Sequence, residues 1–434
     1  MLRAQVIRFL SWSLLLFFQA IAAGEDWPQW RGPQRDGVWR ETGLLESFAT
    51  GQIPIKWSVP IGSGYCGPTV SGGRVYMMDR QTEPDEVERV LCLDEQTGQI
   101  KWTHSYACTY EGISYTAGPR ASVTIDRGQA FALGAAGHLH CLDAESGEVL
   151  WQRPLREDFH IKMPVWGIAA APMVVGELVV LHIGGREGAC VVALDRKTGD
   201  ERWRALDDRA SYSAPILVEQ GGSAVIVVWN GDAIAGLAPD TGEVYWRIPF
   251  PPRNMPIGVP TPVVSGRRVF VSSFYDGSLM IELQDSPRSA RTVWSQVGRN
   301  ERNTQALHCM IGTPLFLDDH VYGVDSYGEL RCLRGETGER VWEDRTATPR
   351  ARWSNIHMVR QGERVWMFNE RGELVIGQLA PTGFTEISRA KLIDPTTDQL
   401  GERGGVCWSH PAFANRHVFA RNDRQIVCAS LAQE

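Results

Sequence analysis

Nowhere in its 434 residues does the chain carry a run of like charge, an adjacent pair of cysteines, or an apolar stretch long enough to cross a bilayer. Each absence excludes something. Without a basic stripe, and with a net charge of −7, the chain is a poor binder of nucleic acid, because Lys and Arg neutralising phosphates supply most of that affinity. The apolar run Phe9 to Phe18 is too short for a transmembrane span. Gly-x-Ser-x-Gly, His-Glu-x-x-His, P-loop and dinucleotide fingerprints are all missing, which removes the common hydrolase, zinc-protease and nucleotide-binding motifs. Short glycine clusters such as Gly184-Gly185 fall between strands and read as turns.

The N-terminus carries an export signature. Arg3 and Arg8 precede the apolar run, and Ala20-Ile21-Ala22 places small residues at signal-peptidase positions, so residues 1–23 are expected to be removed from a periplasmic or extracellular protein. An uncleaved membrane anchor is the alternative. No cysteine follows the run at lipobox distance, so lipidation is not expected.

Nine cysteines would suit a disulfide framework in an exported protein, but the count is odd and the positions repeat. Cys92, Cys141 and Cys332 each stand just before a Leu of a recurring phrase, and Cys428 is placed similarly. Such repetition reads as a small apolar residue in a strand core.

The recurring phrase is the strongest signal in the chain. Leu93-Asp94-x-x-Thr97-Gly98-x-x-x-Trp102 returns as Leu142-Asp143-x-x-Ser146-Gly147-x-x-x-Trp151 and Leu194-Asp195-x-x-Thr198-Gly199-x-x-x-Trp203, with looser copies ending Gly242-x-x-x-Trp246 and Gly338-x-x-x-Trp342. A further copy, Leu379 to Phe384, keeps Thr-Gly and loses the Trp, which puts its outer strand near residues 386–390. Trp294 ends a degraded copy in which Gln284-Asp285-Ser286-Pro287 replaces the turn. Short β-branched runs broken by glycine precede each phrase, as in residues 262–279, and predict three strands with the phrase joining the third to a fourth. Gly98, Gly147, Gly199, Gly242 and Gly338 supply the positive φ of a hairpin, and the preceding acid accepts bonds from the turn backbone.

Four antiparallel strands repeated at this period are the blades of an all-β propeller. Trp57, Trp102, Trp151, Trp203, Trp246, Trp294 and Trp342 lie 45, 49, 52, 43, 48 and 48 residues apart. Trp57 has no three strands before it, and residues 411–431 supply strands without a fourth. Together they complete one blade and close a ring of eight over residues 53–434, with residues 24–52 packing on it. A seven-bladed ring with a detached N-terminal strand is the alternative. The seven periodic tryptophans are expected to wedge between blades, each ring nitrogen finding a carbonyl there, and not to bind carbohydrate.

With these blades the chain resembles the quinoprotein superfamily of PQQ-like propellers. The opening Asp26-Trp27-Pro28-Gln29-Trp30-Arg31-Gly32-Pro33, Gly118-Pro119-Arg120 and Ser211-Tyr212-Ser213-Ala214-Pro215 look like an exported bacterial branch of it, similar to the outer-membrane assembly factor BamB but without a lipobox. Resemblance to the quinone-dependent alcohol dehydrogenases of the superfamily would imply pyrroloquinoline quinone on a Trp, calcium held by Glu, Asn and Asp, and adjacent cysteines. The chain lacks the cysteine pair and the large insertions of those enzymes, so no catalytic residue carries over and no cofactor is expected, with quinone and calcium as the alternative. The resemblance to BamB implies a propeller presenting one face to protein partners.

Long outer-to-inner connections gather on one face, where binding residues concentrate. Tyr106, Tyr110, Tyr115, Phe159, His160, Trp166, Trp353, Trp408 and His410 stand there and either meet a ligand or pack the loops together. Arg120 is expected at the central funnel, for an anion or paired with a loop carboxylate. Arg120, Trp166, Tyr212, Trp353 and Trp408 are therefore the candidate funnel residues. His308-Cys309, Cys407-x-x-His410 and Cys66 would make a metal site only if they converged, and none is expected. His138-x-His140 reads as a surface pair. The segment Trp27 to Pro33 is expected to plug one propeller end, with an exposed partner motif as the alternative. The reading is a non-catalytic monomeric scaffold for a protein or envelope partner, with a quinoprotein oxidoreductase and a polysaccharide binder as alternatives.

Overall fold

The computed structural model describes residues 24–286 and 288–433, so the expected signal peptide lies outside the described residues. Eight four-stranded antiparallel sheets form an eight-bladed propeller, and the seven-bladed alternative does not hold. Blades 1 to 7 span residues 69–107, 124–154, 173–205, 216–249, 263–296, 315–344 and 356–391. Blade 8 takes Ala412–Ala414, His417–Arg421 and Gln425–Ser430 from the C-terminus and Ile55–Pro60 from the N-terminus, with Trp57 opposite Cys428.

Burial explains the sequence pattern of the blades. A second strand such as Leu178–His182 is buried at four of its five positions and reads as a continuous apolar run, because neighbouring blades cover both of its faces. A fourth strand such as Glu201–Ala205 alternates, with Trp203 turned inward. Every fourth strand slips register by one residue just before the Trp position, a bulge present in all eight blades. That slip sets each Trp opposite one residue of the third strand, namely Cys428, Cys92, Cys141, Ala193, Gly236, Met280 or Cys332. In six of the seven pairs that residue is a small Cys, Ala or Gly beneath the bulky indole, which accounts for the repeated cysteine slot, and Met280 beneath Trp294 is the exception. All nine cysteines are buried and unbridged.

The wedge itself joins two copies of the phrase. The indole N–H of Trp57, Trp102, Trp151, Trp203, Trp294 and Trp342 donates to the carbonyl of Glu95, Ala144, Arg196, Pro239, Gly335 and Ala380 in the next blade, at 2.8 to 3.2 Å. The turn glycine of that next blade lies under the same ring. Gly199, at φ 75°, would place a methyl carbon 2.7 Å from the Trp151 indole, so it is required both for the turn and for the approach. Gly98, Gly147, Gly242 and Gly338 meet Trp57, Trp102, Trp203 and Trp294 in the same way, at 2.5 to 2.9 Å. Asp94, Asp143 and Asp195 accept backbone N–H groups of their turns, as expected.

Two seams depart from the repeat. Trp246 faces the degraded turn of blade 5 and donates instead to Gln220 Oε1 of its own blade. Gln220 Nε2 then donates to the Gln284 and Ser289 carbonyls across the seam, so the amide relays the missing bond. In blade 7 the phrase does not keep its turn: strand Glu373–Ala380 passes to Gly383–Lys391 through two residues, with Ala380 opposite Gly383. Its outer strand has Ser388 where a Trp would stand.

The N-terminal segment closes that unwedged seam. Trp27 pairs with Val70 of blade 1, the Pro28 carbonyl accepts from Ile125 N of blade 2, and Arg35 donates to the Ala171 and Pro172 carbonyls before blade 3. The chain then runs over blades 7 and 8, where Trp39 N donates to the Arg360 carbonyl, Phe48 N to Ser388 Oγ and Ile53 N to the Lys391 carbonyl. Trp39 packs on Trp366 at 5.5 Å and on Phe413 at 5.1 Å, one ring from each blade.

Burying one indole removes about 150 to 250 Å² from water, or roughly 4 to 6 kcal/mol as an upper bound. Trp203→Ala should therefore cost about 3 to 5 kcal/mol and lower the melting temperature by several degrees. Gly199→Ala should cost about 1 to 3 kcal/mol, from the same seam. Thermal unfolding of both variants checks this; wild-type stability in either contradicts the wedge.

A candidate ligand-binding funnel

Proline stands immediately before six inner strands, as Pro68, Pro172, Pro215, Pro262, Pro314 and Pro411. It is tolerated at a first strand position because no ladder N–H is needed there. The residue preceding it is aimed at the propeller axis, so Ala171, Ala214, Thr261 and His410 line the central funnel, joined by Ser122 and His357. Trp30 from the N-terminal segment makes the floor, donating its indole N–H to Thr261 Oγ1 at 2.7 Å and standing edge-on to His410 at 4.3 Å. Tyr65, Tyr115, Trp166, Tyr212, Trp353 and Trp408 come from the connecting loops. The enclosed volume is about 150 Å³.

The rings hold one another. Tyr115 contacts Trp166 at 5.9 Å and Trp353 at 6.4 Å, Trp166 contacts Tyr212 at 5.0 Å, and Trp353 contacts Trp408 at 6.4 Å. Tyr115 and Trp353 sit at positive φ, 57° and 67°, which for bulky residues is strained backbone that the loops must hold. Trp353 is further clamped by the Arg352 guanidinium at 4.3 Å, itself paired with Glu301.

Charge in the funnel is confined to Arg120. Its guanidinium donates to the Gly118, Ser114 and Tyr115 carbonyls and lies 5.0 Å from the Tyr65 ring. The loop carboxylate considered as its partner is not there: among the described residues none lies within ion-pair distance of Arg120. Burial pulls His357 down to about 4, opposed by its bond to the Trp408 carbonyl, and pulls His410 well below its ordinary value. Both rings are neutral near pH 7. Burial beneath the floor also lowers Arg31 to about 10 and Arg35 to about 9.

Ser122 Oγ lies 2.8 Å from His410 Nε2, the spacing of a nucleophile and its base, but burial lowers the His410 ring and no carboxylate among the described residues orients it. Calcium takes roughly six to eight oxygen ligands rich in carboxylate. The funnel lining contains no Asp, Glu or Asn, so this donor set does not fit a quinone–calcium centre. No group of three or more His, Cys, Asp or Glu side chains able to hold a metal occurs among the described residues. Both His308 ring nitrogens are occupied by backbone groups of Phe274 and Gly298, and the Cys407 thiol is directed to the Asp394 carbonyl.

Arg120, Trp166, Tyr212, Trp353 and Trp408 all line the funnel. The other loop aromatics divide. Tyr115 and His410 join the funnel, whereas the Tyr106 and Tyr110 hydroxyls donate to buried Glu88, and Phe159 is buried in the core formed with blades 2 and 3. His160 belongs to neither group. His138-x-His140 is not a surface pair: His140 is 4% exposed and stacks on Tyr106 at 4.3 Å and His104 at 4.8 Å. Trp30, Tyr65, Met310 and His357 were absent from the sequence candidates, and the recurring residue-before-proline is the signal that points toward the wall they complete.

Fold and funnel define an eight-bladed propeller with an aromatic-lined opening at its axis. The family described as outer membrane protein assembly factor BamB matches residues 88–309 and 286–434, and the chain belongs to that family. It is 24% identical over 228 residues to BamB of Shewanella oneidensis, a match spanning 51% of this chain and 56% of that protein. It is 27% identical over 147 residues to the 1-butanol dehydrogenase (quinone) of Thauera butanivorans, spanning 31% of this chain and 23% of the enzyme. The crystal structure of BamB from Moraxella catarrhalis covers 87% of this chain and 99% of its own at TM-score 0.56 and 16% identity. A europium-containing methanol dehydrogenase covers 93% of this chain and 89% of its own at TM-score 0.63 and 13% identity, a likeness of fold alone.

Burial makes the folded protein acid-sensitive. His182 and His357 are pulled down to about 4 and His140 to about 3, all by desolvation first, from an ordinary value of 6.5. The unfolded chain takes up these protons below about pH 6.5 and the native chain does not, so stability is full above that pH and falls as pH drops toward 4. The slope is about 1.4 kcal/mol per pH unit for each histidine. Melting temperatures at pH 7.5, 6 and 5 should fall in that order, and His182→Gln should flatten the profile; an unchanged melting temperature across this window contradicts the buried neutral rings.

Proposed function

We propose that this chain is a non-catalytic binding propeller of the cell envelope, acting as an exported monomer that takes a segment of a partner protein into the aromatic funnel on its long-loop face. The observation that carries this is the funnel lining: seven Trp and Tyr side chains, two neutral histidines and a single guanidinium, with no carboxylate among them. Large aromatic side chains around one oriented cation are the composition of a binding hot spot. The matched relative from Shewanella oneidensis is named for outer membrane protein assembly, which is consistent with a protein partner and an envelope location. No helix among the described residues is long and apolar enough to cross a membrane.

A quinoprotein oxidoreductase is the less supported reading, because the lining offers calcium no carboxylate. A polysaccharide platform is less supported too, since Tyr115, Trp353 and Trp408 stand edge-on to their neighbours and form no flat shelf together.

Placing a photo-crosslinking amino acid at position 353, and separately at position 96 on the hairpin face, tests the proposal in the native cell envelope. Position 353 should give a discrete protein adduct that is lost with Arg120→Ala, and position 96 should not. No adduct at 353, or dye-linked alcohol oxidation by the purified chain supplied with the quinone and calcium, contradicts it.

A further inference from the structure

We propose a second binding site, for an acidic polypeptide segment, in a cationic groove on the flank of blade 6. The groove encloses about 460 Å³ and shares no lining residue with the funnel. Arg299 and Arg302 come from the connection after blade 5, Arg331, Arg340 and Arg345 from the outer half of blade 6 and its exit, and Arg350 from the connection to blade 7. Glu329 and Glu343 are the lining carboxylates.

Both carboxylates are already engaged. Glu343 receives Arg331, Arg340 and Arg345 at 2.7 to 3.0 Å, and Glu329 receives Arg350 at 3.0 Å. Arg331, almost fully buried, also contacts buried Asp325 at 2.9 Å and forms the floor. Arg299 and Arg302 have no carboxylate within ion-pair distance among the described residues; Arg302 is held by the Tyr327 hydroxyl at 3.2 Å, under the Tyr327 ring. Six guanidinium groups thus converge on a concavity with two neutralised acids, in a chain whose overall charge is −7. Such a field is maintained against self-repulsion and is complementary to an anionic partner.

The shape and chemistry select the partner class. The cations line a concavity, which a single extended chain can follow. Glu329 and Glu343 space the guanidinium groups along the groove, a spacing that suits the separated carboxylates of a peptide. Asn303 and Gln305 on the rim offer amide groups that pair with peptide backbone. Guanidinium forks accept carboxylates in bidentate geometry.

Fluorescence anisotropy of a short labelled peptide of alternating glutamate and serine, titrated with the full chain, tests this. Binding is expected at about 0.05 M salt and should weaken by about tenfold or more by about 0.3 M. The double variant Arg299→Glu, Arg302→Glu should weaken it by about tenfold or more while melting like wild type, because both side chains are exposed. The control Arg127→Glu, Lys197→Glu on blades 2 and 3 should bind as wild type. Absence of peptide binding, equal loss in the control, or tighter binding at the groove of inorganic polyphosphate or anionic phospholipid vesicles overturns the proposal. Crosslinking at position 353 does not depend on this groove, so the two proposals fail separately.

Discussion

The contact that organises this molecule is an indole held between the end of one blade and the turn of the next. Seven blades offer a Trp on the outer strand, and at five seams the neighbouring hairpin receives it on a glycine that lies against the ring. Because the donor and the acceptor occupy fixed places in one ten-residue phrase, repeating the phrase repeats the seam. Geometry then requires closure: a wedge that rotates each blade by the same amount leaves no free edge once the two chain ends share the last sheet. The cysteine slot, the outer-strand bulge and the glycine turn are all consequences of fitting that indole.

Where the phrase decays, another device takes its place. At the seam between blades 4 and 5 a glutamine amide accepts from Trp246 and donates onward to two carbonyls, preserving the hydrogen-bond balance of a buried indole. Between blades 7 and 8 there is no indole on the outer strand, and the N-terminal segment fills the seam with Trp39 and Phe48. The same segment carries Trp30 to the funnel floor. Packing at the seam without an indole and shape at the funnel are thereby supplied by one stretch of chain.

The number of blades and the positions of the six tryptophans that bond a carbonyl of the next blade were legible in the sequence because both are encoded locally and repeated. The Gln220 relay was not, since it pairs residues 26 apart through a side chain with no place in the repeat. His140 was misread because alternation along a strand signals exposure only where one face meets water, and in a propeller the next blade covers it. The funnel was half legible: long loops pointed to Arg120, Trp166, Tyr212, Trp353 and Trp408, but Trp30, Tyr65 and His357 reach the axis from segments far apart in sequence. Function is coded less densely than fold here, because the loops do not repeat and each side chain is placed by its neighbours.

Hydrogen exchange at the tryptophan indoles, resolved by NMR on the uniformly nitrogen-labelled protein, tests the organising contact most directly. The account predicts that the indole protons of Trp57, Trp102, Trp151, Trp203, Trp246, Trp294 and Trp342 exchange only through unfolding, while those of Trp166 and Trp353 at the funnel mouth exchange rapidly. Wedge indoles that exchange as fast as Trp353 would contradict it.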